Sequence, residues 1–155
     1  MSTTLTQPRL HLRPAHTLDL AACAAICEAC PLLSRWTADA LLETLRERDV
    51  HGYVAEDVRT GEVRGFMLYR LCEDHLQLLA LAVDPACRMA GVGGALVARL
   101  QNEVKSHRRY FISALVPETE AGALRFFGAC GLRPAGIVRG WFGEGVDGVE
   151  VVWAA

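Results

Sequence analysis

From Arg9 to Ala15 the chain reads RLHLRPA, alternating apolar and polar residues, and that two-residue period predicts a half-buried strand. The period then changes. Small and apolar residues at helical spacing in LDLAACAAICEAC predict a helix over Leu18 to Cys30, with Thr17 as its cap and Pro31 as its stop. Thr37 to Arg48 carries Ala40, Leu41, Leu42 and Leu45 with Glu43 and Glu47 outside, a second and amphipathic helix. HGYVAE and VRGFMLYRL are β-rich runs joined by Thr60-Gly61, a hairpin signal. The run HLQLLALAV, from His75 to Val83, is apolar enough for a central strand covered on both faces.

Beyond a glycine-rich junction, ALVARLQNEVKS places apolar residues at 96, 97, 100 and 104, so a helix is expected to about Ser106. RYFISALV reads as another buried strand. ETEAGALRFFGACGL reads as a helix ended by Gly131, a natural C-terminal glycine. The tail, AGIVRGWFGEGVDGVEVVWAA, predicts two strands around a turn rich in Gly and Asp. The order β-α-α-β-β-β-α-β-α-β-β is that of a mixed α/β domain, with no repeat or linker. At 155 residues the chain is expected to be one domain over 9–155, preceded by a disordered polar tail over 1–8.

Composition narrows the function. Apolar residues make up 52% and charged residues 22%, which suits a folded core. A net charge of -2 argues against a general nucleic-acid binder but leaves room for a local basic pocket. The start, MSTTLTQP, has no signal-peptide core, and no run approaches the roughly 20 apolar residues of a membrane span, so a cytoplasmic location without membrane attachment is expected. The six cysteines are then expected to be reduced thiols. Cys23, Cys27 and Cys30 have the Cys-x3-Cys-x2-Cys spacing of radical enzymes that use S-adenosylmethionine, but they lie in a helical pattern and not in a cluster-wrapping loop, so packing is the better reading. The five histidines are scattered, and no metal is inferred.

The chemistry concentrates in DPACRMAGVGGALV. A Walker A loop would need Lys and Ser or Thr after the last glycine, where Ala95 and Leu96 stand. A dinucleotide fingerprint would need a third glycine at Leu96 and a second parallel β-α-β half. What remains is a strand, a turn containing proline, and Arg-x-x-Gly-x-Gly entering a helix. A helix N-terminus offers unpaired N–H groups and a partial positive charge. Glycines at 91 and 93 let a pyrophosphate approach the backbone, and Arg88 offers a charge-assisted contact beside them.

LLALAVDPACRMAGVGGALVARL resembles the acetyl-CoA-binding core of the GNAT N-acetyltransferase superfamily, and FFGACGL resembles the end of its second signature segment. LHLRPAHTLDL is similar to that family's first strand and helix, so the resemblance covers nearly the whole chain. IVRGWF resembles a hairpin of the N-terminal acetyltransferases that act on ribosomal proteins. The resemblance implies an α/β (α+β) GNAT fold, a mixed central sheet with a splayed central strand pair and flanking helices. It implies acetyl-CoA as co-substrate, with the backbone of Leu81, Ala82 and Val83 pairing with the pantetheine arm. The loop of Arg88, Met89, Ala90, Gly91, Val92, Gly93 and Gly94 would hold the pyrophosphate.

Acetyl transfer to an amine needs a neutral amine, an oxyanion donor and a protonated leaving thiolate. A backbone N–H near Ala82 or Val83 would supply the donor. The positions that carry acid and base in the relatives hold other residues here. The donor tyrosine falls at Phe127, which is grouped with the carrier-binding residues. The base glutamate falls at Leu115, the asparagine that helps hold the carrier at Glu120, and the glutamate of the histone-acetylating branch at Gln77. His75 and Gln77 lie two apart on one strand face, and an imidazole is the side chain best suited to carry a proton at physiological pH, so this pair is the candidate proton relay, against a plain solvated strand end. Glu118 and Glu120 sit at the strand-to-helix junction near the expected thioester, or else serve the first helical turn electrostatically. Trp141 and Phe142 would form an aromatic lip over the acceptor, with Trp36 and Tyr53 on the other wall. The expected function is N-acetyl transfer to a primary amine, a small molecule or a protein N-terminus, by direct attack in a ternary complex; homodimerisation is left open. The alternative is an acyl-CoA-binding sensor without chemistry.

Overall fold

A computed structural model describes residues 9–30, 33, 35–88 and 90–155. The expected disordered tail over 1–8, the helix stop Pro31 and the loop residue Met89 lie outside the described residues. The strands are β1 (Leu10–Pro14), β2 (Val50–Asp57), β3 (Val63–Leu71), β4 (His75–Val83), β5 (Phe111–Pro117), β6 (Arg133–Val138) and β7 (Gly148–Ala154). The α-helices are α1 (Leu20–Glu28), α2 (Ala38–Leu45), α3 (Val92–Ser106) and α4 (Ala121–Ala129). One mixed sheet runs in the order β1-β2-β3-β4-β5-β7-β6, with β4 parallel to β5 and β7 antiparallel to both of its neighbours. The chain divides into two compact units. The first runs to Leu68 and adds Ala80–Leu96; the second comprises Tyr69–Leu79 and Val97–Ala155.

In the first unit, β1 pairs antiparallel with β2, and Arg13 closes the turn that follows. Its guanidinium donates to both oxygens of Asp19, at 2.8 and 2.9 Å, while Asp19 also accepts the N–H of His16 at 2.7 Å. The Nδ1 of His16 accepts the N–H of Leu18, so His16 and Asp19 form a capping box around a 3₁₀ turn at Thr17–Asp19. This corrects the expected helix start. Thr17 is inside the turn and not the cap, because Asp19 is held by Arg13 and the α-helix begins only at Leu20. At α2 the expectation holds: the Thr37 hydroxyl accepts the N–H of Ala40 at 3.2 Å. Cys23, Ile26 and Cys27 of α1, Leu41 of α2, Val54 of β2 and Phe66 to Leu68 of β3 are among its buried apolar residues.

A second correction concerns which strand is covered on both faces. Residues Gly65 to Tyr69 of β3 are buried without interruption, whereas β4 alternates half-buried with buried throughout. Leu76, Leu78, Ala80 and Ala82 are the covered face of β4; Leu79, Leu81 and Val83 are partly open despite being apolar. A continuous apolar run cannot by itself tell a face packed by protein from a face left for something else.

In the second unit, β5 pairs with β7 along its whole length. Residues opposed across a ladder share a face. Leu76, Leu78, Ile112, Ala114 and Val151 therefore share one face, and all are buried. The opposite face carries Gln77, Ser113, Leu115, Glu150 and Val152. The end of α4 is fixed by Gly131 at φ 93°: its N–H bonds to Gly128 O, and Leu132 N–H reaches back to Phe127 O at 2.9 Å.

Candidate active site

The expected carrier loop lies in the first unit and is built by a chain of local constraints. The last turn out of β4 is held by Asp84, whose Oδ1 accepts the N–H of Ala86 at 3.0 Å and whose Oδ2 takes Arg64 at 3.2 Å. Pro85 opens a 3₁₀ turn to Cys87, and Ala90 N–H bonds to Cys87 O. The chain then reverses at Gly91, where φ is 83°, a conformation that disfavours any residue with a side chain. Val92 and Leu96, both buried, seat α3, and Gly65 lets β3 approach it: a Cβ there would lie 2.8 Å from the Val92 side chain and 3.0 Å from Ala82 O.

At Gly91 and Gly94, by contrast, a Cβ would meet nothing within 4 Å. The first backbone N–H groups of a 15-residue helix have no intrahelical acceptor, and beside Gly91 and Gly94 no atom of the described residues would crowd a group brought up to them. The exposed Arg88 sends Nη2 to within 3.0 Å of the Cys30 thiol. Leu81 and Val83 present half-open side chains, and Ala82 is buried.

The second unit holds the expected catalytic residues and Phe127. The β4–β5 ladder runs only from His75–Phe111 to Leu78–Ala114, although β4 continues to Val83 and β5 to Pro117. His75, the first residue of β4, stacks on Phe111 at 4.6 Å and bonds through Nδ1 to Asp74 at 2.7 Å. That bond holds the Asp74 carboxyl below its ordinary pKa. Gln77 Oε1 accepts from Arg70 at 3.3 Å. The structure thus gives His75 and Gln77 separate partners, Asp74 and Arg70.

Phe127 is buried, edge-to-face with Phe126, and has no ionisable group. Glu120 is the N-terminal cap residue of α4 without a side-chain capping bond. Glu118 Oε1 accepts Asp147 N–H, and Asp147 in turn accepts Gly140 N–H at 2.9 Å, so Glu118 is tied into the β6–β7 turn. That turn delivers Trp141 and Phe142 to Gly148: a Cβ on Gly148 would meet Trp141 Cβ at 3.2 Å, Phe142 at 3.3 Å and Leu115 at 3.4 Å. Trp141 and Phe142 therefore lie beside Gly148 on the Leu115 face. Sequence reading passed over Glu150, which stands opposite Leu115 across the β5–β7 ladder. The available signal was a single charge in the apolar run GVEVVWA.

Among the described residues no three His, Cys, Asp or Glu side chains are placed so that they could hold a metal ion, and no helix is long and apolar enough to cross a membrane. All six cysteines are free thiols, and burial raises the pKa of Cys23 and Cys27 to about 12.

The chain matches the Acetyltransferase (GNAT) family over residues 20–132. It belongs to that family. Among solved structures this GNAT chain resembles Ard1 from Thermoplasma volcanium, with a TM-score of 0.83 at 19% identity over 94% of this chain and 97% of that one. The ribosomal-protein-S18-alanine N-acetyltransferase from Escherichia coli gives 0.80 at 20% identity over 94% of each chain. An aminoglycoside 6′-N-acetyltransferase complexed with coenzyme A gives 0.78 at 14% identity, covering 93% and 96%. At these identities the likeness establishes the GNAT fold. The search of curated proteins returned no match.

Proposed function

We propose that this GNAT acetyltransferase moves an acetyl group from acetyl-CoA to a primary amine, a small molecule or a protein N-terminus, by direct attack in a ternary complex. The observation that carries the reading is the loop into α3. Gly91 is held at positive φ, and among the described residues nothing lies within 4 Å of a Cβ placed there or at Gly94. Such a cradle suits a pyrophosphate held by the amides of residues 90–94 and, at its edge, by Arg88. Loss of β5 pairing after Leu78 supports the companion role of Leu81, Ala82 and Val83, whose backbone would bond the pantetheine amides as an added strand. Acetyl-CoA supplies the activated acyl group; the chain's task is to position the thioester and amine and to handle protons. Free thiols throughout and the absence of a long apolar helix among the described residues support a cytoplasmic setting.

A second reading, an acyl-CoA sensor without catalysis, draws on Phe127, an apolar ring where the relatives of the resemblance carry a proton donor. One experiment separates the two: acetyl-CoA-dependent thiol release with a panel of peptides, polyamines and amino acids, with acetyl-CoA binding measured on the same sample. Turnover with a class of amine is the expected result. Binding without turnover across the panel would overturn the enzyme in favour of the sensor.

A further inference from the structure

We propose that Glu150 is the catalytic base, the carboxylate that takes the proton from the incoming amine; this rests on the acetyl-transfer reading above. Four observations within the second unit converge on it. The first is level. The β4–β5 ladder ends at Leu78–Ala114, and Leu115, the next residue of β5, has Glu150 as its direct partner on β7. Glu150 therefore stands one residue beyond the point where the two parallel strands stop pairing.

The second is face. Opposed residues of an antiparallel pair have Cα atoms about 5 Å apart and side chains on the same side. Glu150 thus shares its face with Leu115 and Ser113 and, through the parallel ladder, with Gln77. The third is surroundings. Leu115 lies on one side of Glu150, and Gly136, which has no side chain to fill the space, is its partner on β6. Two residues back on the same face, Trp141 and Phe142 close over Gly148. An acceptor laid along that lip meets the carboxylate next.

The fourth is availability. Glu118 is tied to Asp147, Asp74 to His75, and Glu103 to Arg99 and His107. Among the described residues Glu150, half-buried, has no hydrogen-bond or ion-pair partner. Half-open and without a protein partner, its carboxylate is free to meet a ligand.

The step balances as follows. The acceptor ammonium gives one proton to the Glu150 carboxylate, and the freed lone pair forms the C–N bond to the thioester carbonyl carbon. The C–S bond breaks with its electron pair on sulfur. The second nitrogen proton passes to that thiolate to give the free thiol of CoA, and Glu150 returns its proton to solvent.

The test is Glu150→Gln, nearly isosteric, with the amine that the unaltered protein acetylates fastest. A general base contributes about 10²–10⁴ in rate, so kcat is expected to fall at least a hundredfold while the Kd for acetyl-CoA, by calorimetry, stays within twofold. A swap provides the control that a merely structural role would not pass. Glu150→Leu should be as slow as Glu150→Gln, and adding Leu115→Glu, which returns a carboxylate to the same face one strand away, should recover at least tenfold. A Glu150→Gln protein with kcat within threefold of the unaltered protein overturns the assignment and leaves acetyl transfer standing. So does a swapped variant no faster than Glu150→Leu. An unaltered protein that binds acetyl-CoA and releases no thiol with any amine overturns acetyl transfer, and Glu150 with it.

Discussion

Replacing Gly91 with alanine separates the loop's backbone role from its ligand role. Gly91 has φ 83°, and a Cβ there would touch no atom of the described residues within 4 Å. The folded protein therefore loses only the cost of a left-handed alanine, about 1–2 kcal/mol. At about 2–4 °C per kcal/mol for a domain of this size, Tm should fall by roughly 2–8 °C. The methyl group would occupy the cleared surface where the pyrophosphate is proposed to sit. Acetyl-CoA affinity should drop more than tenfold, or over ~1.4 kcal/mol. Gly61 supplies the matched control: it too has positive φ, 75°, and open space around a Cβ, but it sits in the β2–β3 turn. Gly61→Ala should lower Tm by a similar amount and leave affinity unchanged. Both are measured by calorimetry at 25 °C, where the variants are folded. Unchanged acetyl-CoA affinity in Gly91→Ala would refute the loop assignment, whatever its Tm.

Three further outcomes follow from other parts of the chain. Gly65→Ala puts a Cβ 2.8 Å from Val92 Cγ1 and 3.0 Å from the backbone oxygen of Ala82, so overpacking should destabilise the protein by about 1–3 kcal/mol, read from denaturant midpoints; a neutral variant would show that α3 can shift away from β3. Asp19 is held below its ordinary pKa by the Arg13 guanidinium first and the His16 N–H next, so its contribution is present above the unfolded value near 4 and lost as pH falls through the lower folded value; Asp19→Asn should cost about 1.5–3 kcal/mol at pH 7 and flatten the stability profile below pH ~4 in acid titrations followed by circular dichroism. Cys23 and Cys27, buried with pKa values near 12, should resist alkylation at pH 8 in the native protein while half-exposed Cys30 labels first, as peptide mass spectrometry would read; equal labelling of all three would contradict the packing of α1.

Local pattern was enough to read most elements. The ranges of β3 and β4 are bounded by turn residues on both sides, and Gly131 marked the end of α4 because a left-handed residue is needed there. The start of α1 was misread because its cap depends on Arg13, on the preceding strand, which no helix-propensity argument weighs. The apparent double coverage of β4 was misread for a related reason: Leu79, Leu81 and Val83 are apolar, and only the assembled sheet reveals that their face is partly open. The loop into α3 was legible since strand, turn, glycines and helix are contiguous. The acid–base groups were not. Leu115 and Phe127 could be judged only against a family pattern, and Glu150 meets Leu115 through a register between residues 35 positions apart.

The missing groups also bear on which amine is acetylated. An α-amine with a pKa near 8 is about one-tenth neutral at pH 7, so supplying its free base costs about 1.4 kcal/mol. A lysine-type amine with a pKa near 10.4 costs about 4.6 kcal/mol. A chain with Phe127 where the resemblance implies a donor, and with Glu150 as the unpartnered carboxylate of that sheet face among the described residues, has less acid–base capacity to offset the larger figure than the smaller. It can still position an α-amine, whose first proton Glu150 has the smaller cost to remove. On this reasoning peptide N-termini should outpace polyamines in the thiol-release panel at pH 7, and the gap should narrow as pH rises toward 9. Polyamines acetylated faster at pH 7 would mean that the site contains stronger proton-handling groups than Glu150 alone.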